Sequence, residues 1–246
     1  MKYKVLLLSV FLVALGLSGQ EEKRQSKDCR KVKDNEALRN LKSLTLGEVF
    51  QGVFKTAGGD DTDSLQWASS HLQMPKASGC SYSAFSVHPY AAGSTWCEGV
   101  ASEGIGEVVL SYIDGDKNFF YIQPGNQSSK KIFSELARPK EVTIYYLVPD
   151  EIAHEQQGAL VFRLPELSGK QKVTLKDEVG FQKVIIENYD ALKKALKKSR
   201  LQKDYVLVAL EINSVYLGEK SEYKDITCVR NISNSMEEKY YKQVPK

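Results

Sequence analysis

The 246-residue chain is poor in the features that announce catalysis. Its three histidines, His71, His88 and His154, lie far apart, and no H-E-x-x-H pair occurs, which excludes the usual zinc-hydrolase signature. There is no G-x-S-x-G elbow and no Walker loop, so the common hydrolase and nucleotide-binding signatures fail as well. Lysine and arginine total 34 against 31 acidic residues, for a net charge of +3. That balance offers no electrostatic footprint for nucleic acid. The four cysteines include no C-x-x-C pair, which removes a zinc knuckle. Beyond Leu15 no apolar run approaches the length needed to span a bilayer. The classes that survive depend on a shaped surface.

The apolar residues at the start of the chain have a different meaning. Met1-Lys2-Tyr3-Lys4 is a short basic opening, Val5 to Leu15 is an apolar stretch, and Gly16-Leu17-Ser18-Gly19 supplies small residues. This is the pattern of a secretory signal peptide over residues 1–19, too short for a stable membrane anchor. Leu17-Ser18-Gly19 would be a lipoprotein box if cysteine followed, but Gln20 stands there and offers no thiol to lipidate. We therefore expect a secreted, periplasmic or envelope protein with no transmembrane anchor after cleavage. Without Lys2 and Lys4 the remainder is close to neutral.

Export makes disulfides an expectation. Cys29, Cys80, Cys97 and Cys228 allow three pairings, and sequence alone selects none of them. The pairing we expect first is Cys80–Cys97, closing a short loop, with Cys29–Cys228 tying the ends. Four buried thiols are the alternative.

Residues 20–63 form an expected helical extension and linker. Asp34 to Leu44 has helix-forming composition, with Ala37, Leu38 and Leu41 on one face. Thr45-Leu46-Gly47-Glu48 has the form of a capping box. After it Leu46, Val49, Phe50, Val53 and Phe54 recur at helical spacing, which predicts a docking helix. Ala57 to Asp63 is a polar linker whose aspartates lack the spacing of a hand-type calcium loop. From Ser64 to Asn234 the chain is β. The runs 108–113, 118–123, 141–148, 159–164, 171–176, 181–187 and 205–216 are rich in Val, Ile, Leu, Phe and Tyr, most of them separated by turn residues. Asp114-Gly115-Asp116 between two of them is a hairpin signal. Asn188 to Gln202 breaks the pattern as an inserted basic amphipathic helix with Asp190 as its expected N-cap. Its lysine face has two readings, a solvated surface or a contact for anionic envelope polymers and lipid headgroups. Residues 235–246 are a charged tail.

The most informative stretch is Ser94-Thr95-Trp96-Cys97-Glu98-Gly99-Val100 followed by Gly104-Ile105-Gly106-Glu107-Val108-Val109. It joins a large aromatic, two carboxylates and three glycines to an apolar strand. Around it stand Trp67-Ala68-Ser69-Ser70 with Gly79 and Tyr82, Gly125-Asn126 with Phe133 and Arg138 to Val142, and Val215 to Gly218 with Tyr223 to Cys228. In this order the landmarks resemble the NADase-type glycan-binding domain over about residues 64–234. The resemblance implies an all-β fold, a discoidin-like (galactose-binding-like) jelly-roll β-sandwich, carrying here short N-terminal helices and one inserted helix. It also implies a non-catalytic module, since the NAD-cleaving activity in that family belongs to a different domain. Related domains build a calcium site from an Asp-Gly-Asp turn just before the Thr-x-Trp position. Here Tyr90-Ala91-Ala92-Gly93 occupies that stretch without a carboxylate. We therefore expect no cofactor, with calcium as the alternative the resemblance leaves open.

Sugars are bound by aromatic faces against C–H surfaces and by carboxylates and amides on hydroxyls. On that chemistry the candidate ligand-binding residues are Tyr90, Trp96, Glu98, Asn126, Tyr223 and Asp225, with no catalytic residue. Each has a structural counterpart reading: Trp96 as a core plug, Glu98 and Asp225 as loop caps, Glu107 as a cross-strand carboxylate. A Cys97–His dyad is the one nucleophilic arrangement available. The expected partner is a glycan or envelope polymer. The alternative is a protein partner, with the sandwich acting as a scaffold.

Overall fold

A computed structural model describes residues 35–55, 67–72, 82–87, 95–154, 160–199 and 204–236. The first 34 residues, with the expected signal peptide and Cys29, lie outside the described residues, as do the 57–63 linker, Cys80, Tyr90 and residues 237–246. Among the described residues no helix is long and apolar enough to cross a membrane.

Among the described residues, eleven strands form three antiparallel sheets. The first sheet has the order β3 (Val108–Asp114), β10 (Tyr205–Tyr216), β5 (Arg138–Val148), β8 (Glu166–Thr174). The second has the order β2 (Trp96–Cys97), β11 (Cys228–Ser233), β4 (Phe119–Pro124), β9 (Gln182–Ile185). These two face each other as a β-sandwich. Ser111 on β3 donates its hydroxyl to the Ile232 carbonyl on β11, and the ring of Phe120 meets that of Tyr146 edge-on at 6.3 Å. Ile113, Phe120, Ile122, Ile144, Val208, Leu210 and Ile232 fill the interior. Alternation of side chains along a strand places these residues on one face and their neighbours on the other.

A third sheet, β1 (Val53–Lys55), β7 (Leu160–Arg163), β6 (Glu151–His154), adds a layer on the outer face of the first. Phe162 contacts Trp67, Tyr112 and Tyr205 at ring distances of 5.6–6.2 Å. This explains why β3 and β10 are buried on both faces and read as continuous apolar runs instead of alternating ones.

Three local expectations are corrected here. The helix expected from Leu46 to Phe54 is extended chain: Val53–Lys55 pairs with β7, and Val49 bridges Glu166. The Glu48 carboxylate does accept the Thr45 N–H at 2.8 Å, but Gly47 at φ +88° closes a turn instead of starting a helix. Backbone pairing with β7 and β8 overrides the helical period. The Asp114-Gly115-Asp116 turn is no hairpin, because β3 and β4 belong to opposite sheets. The Gly115 N–H is bonded to Asp204 at the start of β10, so the turn carries the chain from one layer to the other. Before β1, helix α1 (Glu36–Arg39) continues as a 3-10 turn, Asn40–Ser43. It buries Leu38 and Leu41, while Ala37 is exposed.

Helix α2 (Lys130–Glu135) is capped by the Ser129 hydroxyl, and α3 (Tyr189–Lys198) is the core of the expected insertion. Its N-cap is Asn188 at φ +54°, not Asp190, which sits in the first turn. Asparagine tolerates that left-handed conformation better than most residues. Leu192 and Leu196 are buried, and Lys194, Lys197 and Lys198 face solvent.

The disulfide is also corrected. Cys97 on β2 lies directly opposite Cys228 on β11, and the two are bonded at 2.04 Å. The expected Cys80–Cys97 and Cys29–Cys228 pairs are therefore excluded, since each cysteine makes one bond. The two partners stand 131 positions apart in sequence and become neighbours only through strand pairing.

Candidate functional site

Most of the residues singled out by sequence gather where β2 meets β11. Trp96 is fully buried, and its indole N–H donates to the Ser70 carbonyl at 2.9 Å. Glu98 is buried too. One carboxylate oxygen accepts the Val100 N–H at 2.7 Å and the other the Thr227 N–H at 3.1 Å. Gly104, at φ +72°, lies so close that an added Cβ would stand 2.5 Å from the Glu98 Cγ. Glycine is required there by conformation and by space. Glu107 is held by the Arg39 guanidinium at 2.9 Å and by the hydroxyls of Ser69 and Ser70. Burying a carboxylate is costly unless it is satisfied: Glu107 has an ion pair and two hydroxyl donors, and Glu98 has two backbone N–H donors.

Asn126 sits on the turn after β4, beside the disulfide: the Gly125 N–H donates to the Cys228 carbonyl. Its side-chain oxygen accepts the Ser128 N–H and hydroxyl, which makes it a turn-former. Tyr223 is half-buried, packs on the cluster of Leu72, Cys97, Ile226 and Cys228, and carries Lys220 over its ring at 4.6 Å. Asp225, two residues on, is half-buried. Thus Trp96, Glu98, Asn126, Tyr223 and Asp225 converge around one disulfide, but the first three face inward. Cys97 is oxidised to a disulfide, so it offers no thiolate for the Cys–His dyad. Among the described residues no group of three His, Cys, Asp or Glu side chains lies close enough to hold a metal ion. Residues 88–94, the stretch where related domains would carry their calcium-binding turn, lie outside the described residues.

The Arg138 landmark is equally architectural. Its guanidinium makes a two-pronged pair with Asp177 at 2.7 and 2.8 Å, donates to the Leu136 carbonyl at 2.7 Å and lies 5.1 Å over the Phe133 ring. Bidentate pairing of this kind fixes geometry as well as charge.

A different surface presents aromatics outward. On β4, Phe120 and Ile122 point into the sandwich, so Phe119 and Tyr121 point away from it. Tyr121 lies 5.6 Å from Phe119 and 6.2 Å from Phe181, each pair edge-to-face, and all three rings are half-buried. On the neighbouring strand, Lys183 stands opposite Tyr121 and reaches over the Phe119 ring at 4.0 Å, while exposed Ile185 stands opposite Phe119. This row was missed in the sequence. Phe119-Phe120-Tyr121-Ile122 is an unbroken apolar run, and period alone does not say which members face in. The one available signal was Tyr121 and Lys183 at alternate positions of edge-proximal strands.

Residues 58–234 match the family of NAD glycohydrolase translocation F5/8 type C domains. The chain belongs to this family. No curated protein and no solved structure gives a significant match. The translocation domain is a discoidin-like β-sandwich and a translocation module, not a catalytic one. The matched segment includes every sequence landmark described above. In this member of the family those landmarks hold the fold: Trp67 and Trp96 in the core, Glu98 and Glu107 on backbone amides and hydroxyls, Cys97 in the disulfide.

Proposed function

We propose that this protein is an exported, non-catalytic module that binds carbohydrate at a bacterial envelope or outside the cell. Membership of the translocation-domain family supports the module, and the basic-apolar-small pattern of residues 1–19 supports export. The observation that carries the ligand class is the outward row Phe119, Tyr121, Phe181 with Lys183 beside it. Three half-exposed rings offer C–H-binding faces and edges that a pyranose can cover, and the phenol of Tyr121 and the ammonium of Lys183 can bond its hydroxyls or an acidic substituent. The buried Trp96 and the engaged Glu98 are then supports, and no metal or other cofactor takes part.

A glycan array followed by affinity electrophoresis in the retained polysaccharides tests this. The expected result is retention that is lost in Tyr121→Ala and weakened in Lys183→Ala, with both variants still folded and Tyr121→Ala no more than about 1 kcal/mol less stable. Absence of binding across broad neutral and acidic panels would reject the carbohydrate reading.

A further inference from the structure

A groove of about 530 Å³ runs between α3, the β7–β8 turn and residues 46–49, with the β5–β6 turn at one end. It is separate from the aromatic row, which is on β4 and β9: none of that row's residues lines the groove. One wall is held firmly. The Gly47 N–H bonds the Leu167 carbonyl at 2.9 Å, the Leu167 N–H bonds the Glu48 carbonyl at 3.0 Å, and the Phe50 N–H bonds the Pro165 carbonyl at 2.7 Å.

This wall is apolar and open to solvent. Of its residues Leu46 is 65% exposed, Leu164 43% and Val49 42%, and Val53, 51% exposed, stands on β1 outside the groove. Among the described residues these are four of nine exposed large hydrophobics, and backbone pairing makes them neighbours: Val49 bridges Glu166, and Val53 pairs with Arg163. Apolar groups concentrated in this way on a soluble surface mark an interaction site. Leu164 is also held at φ +47°, a conformation that leucine avoids and that a following proline makes harder to adopt. It displays Leu164 to solvent instead of packing it inside.

The charges decide what fits. Lys194 and Lys198 stand on the α3 wall, separated by one turn, while Asp150 and Glu166 stand on the strand side. All four are exposed, and none has an ion-pair partner among the described residues. An occupant of one charge sign would meet repulsion from one wall. A surface carrying both signs with the opposite placement meets attraction from both.

We propose that this groove rim is a self-association surface that takes a second copy of this chain across a two-fold axis. In an isologous contact each residue that meets a partner residue is met by it in return. The lysine wall of each copy then faces the Asp150–Glu166 wall of the other, and Leu46 and Leu164 of both copies are covered between them. The association is independent of carbohydrate binding.

Sedimentation velocity and light scattering of the purified protein over a concentration series test it. Wild type is expected to dimerise. Lys194→Glu/Lys198→Glu makes both walls acidic, and Asp150→Lys/Glu166→Lys makes both basic; each pair is expected to raise the dimer dissociation constant by about tenfold or more through like-charge contact. An equimolar mixture of the two variants is expected to recover association, because all-acidic then meets all-basic. The four side chains are exposed, so folding is checked by circular dichroism and retained melting. A wild type that stays monomeric, a dimer indifferent to both variants, or folded variants that do not associate on mixing would each overturn the proposal.

Discussion

Two aromatic regions of this domain look alike in sequence and behave differently in space. Around β2 and β11, Trp96 is sealed in the core, its N–H on Ser70, with Glu98 and the Cys97–Cys228 bond beside it. On β4 and β9, Phe119, Tyr121 and Phe181 remain half-exposed, with Lys183 for company. The first region holds the richest motif in the chain, and its polar atoms bind the protein's own backbone. The second has no motif and leaves its rings to solvent. A functional-looking motif and a solvent-facing aromatic surface are thus different things here. Burial and hydrogen-bond partners separate them, while residue type does not.

The sharpest way to break this comparison is Trp96→Ala. Loss of a fully buried indole is expected to cost about 3–5 kcal/mol of stability, measured by denaturant unfolding. If Trp96 instead served a ligand, stability would hold and glycan retention would go. Removing the cross-strand bond with Cys97→Ser/Cys228→Ser comes next. A loss of about 2–5 kcal/mol is expected, because the bond closes a long loop of the unfolded chain. Melting of wild type with and without reductant checks the same quantity.

Glu98→Gln sharpens the contrast at smaller scale. One oxygen becomes an NH2 group, which cannot accept the N–H it faces, and unfolding experiments should register a loss of about 1–3 kcal/mol. Tyr121→Ala in the outer row should cost no more than about 1 kcal/mol by the same assay, since its ring is only half-buried. Equal losses at the two positions would erase the distinction between the regions.

The smallest effect is in alkaline solution. Burial raises the Tyr145 phenol well above its usual range, helped by a hydrogen bond to the Glu211 carboxylate and by its charge. Burial raises Tyr146 as well, with Glu187 adding a smaller push. A folded value above the unfolded one means that the stabilisation is fully present below the unfolded phenol value of about 10. It is lost as pH rises from there through the folded values. The denaturation midpoint should therefore be flat up to about pH 9 and fall above about pH 10, with a shallower fall in Tyr145→Phe.

Much of the fold was legible before any coordinates. The β runs at 108–113, 118–123, 141–148 and 205–216 correspond to β3, β4, β5 and β10 within a few residues. Their β-branched and aromatic content fits a pleated, largely buried surface, and the sandwich supplies that context. Leu192 and Leu196 on the α3 face were legible too, as a repeat at helical spacing. The 46–54 segment failed because the same apolar spacing suits a helix or a wall stitched to β7 and β8, and only the neighbouring backbone chose between them. The candidate site fared worse. Asn126 was found, but as a turn-former, and the outer aromatic row was hidden in a run whose inward and outward members differ only by register.

What the sequence determined by itself was the all-β class and the family, because these depend on composition and order along the chain. Three things were decided only by tertiary structure. Cys97 found Cys228 across 131 positions through strand pairing. Trp96 and Glu98 became interior supports because the two sheets closed over them. Phe119, Tyr121 and Phe181 became a surface because β4 pairs with β9 at the edge of the second sheet and the rings stay half-exposed on its outer face. Each outcome depends on which distant segments meet, and a one-dimensional pattern does not contain that information.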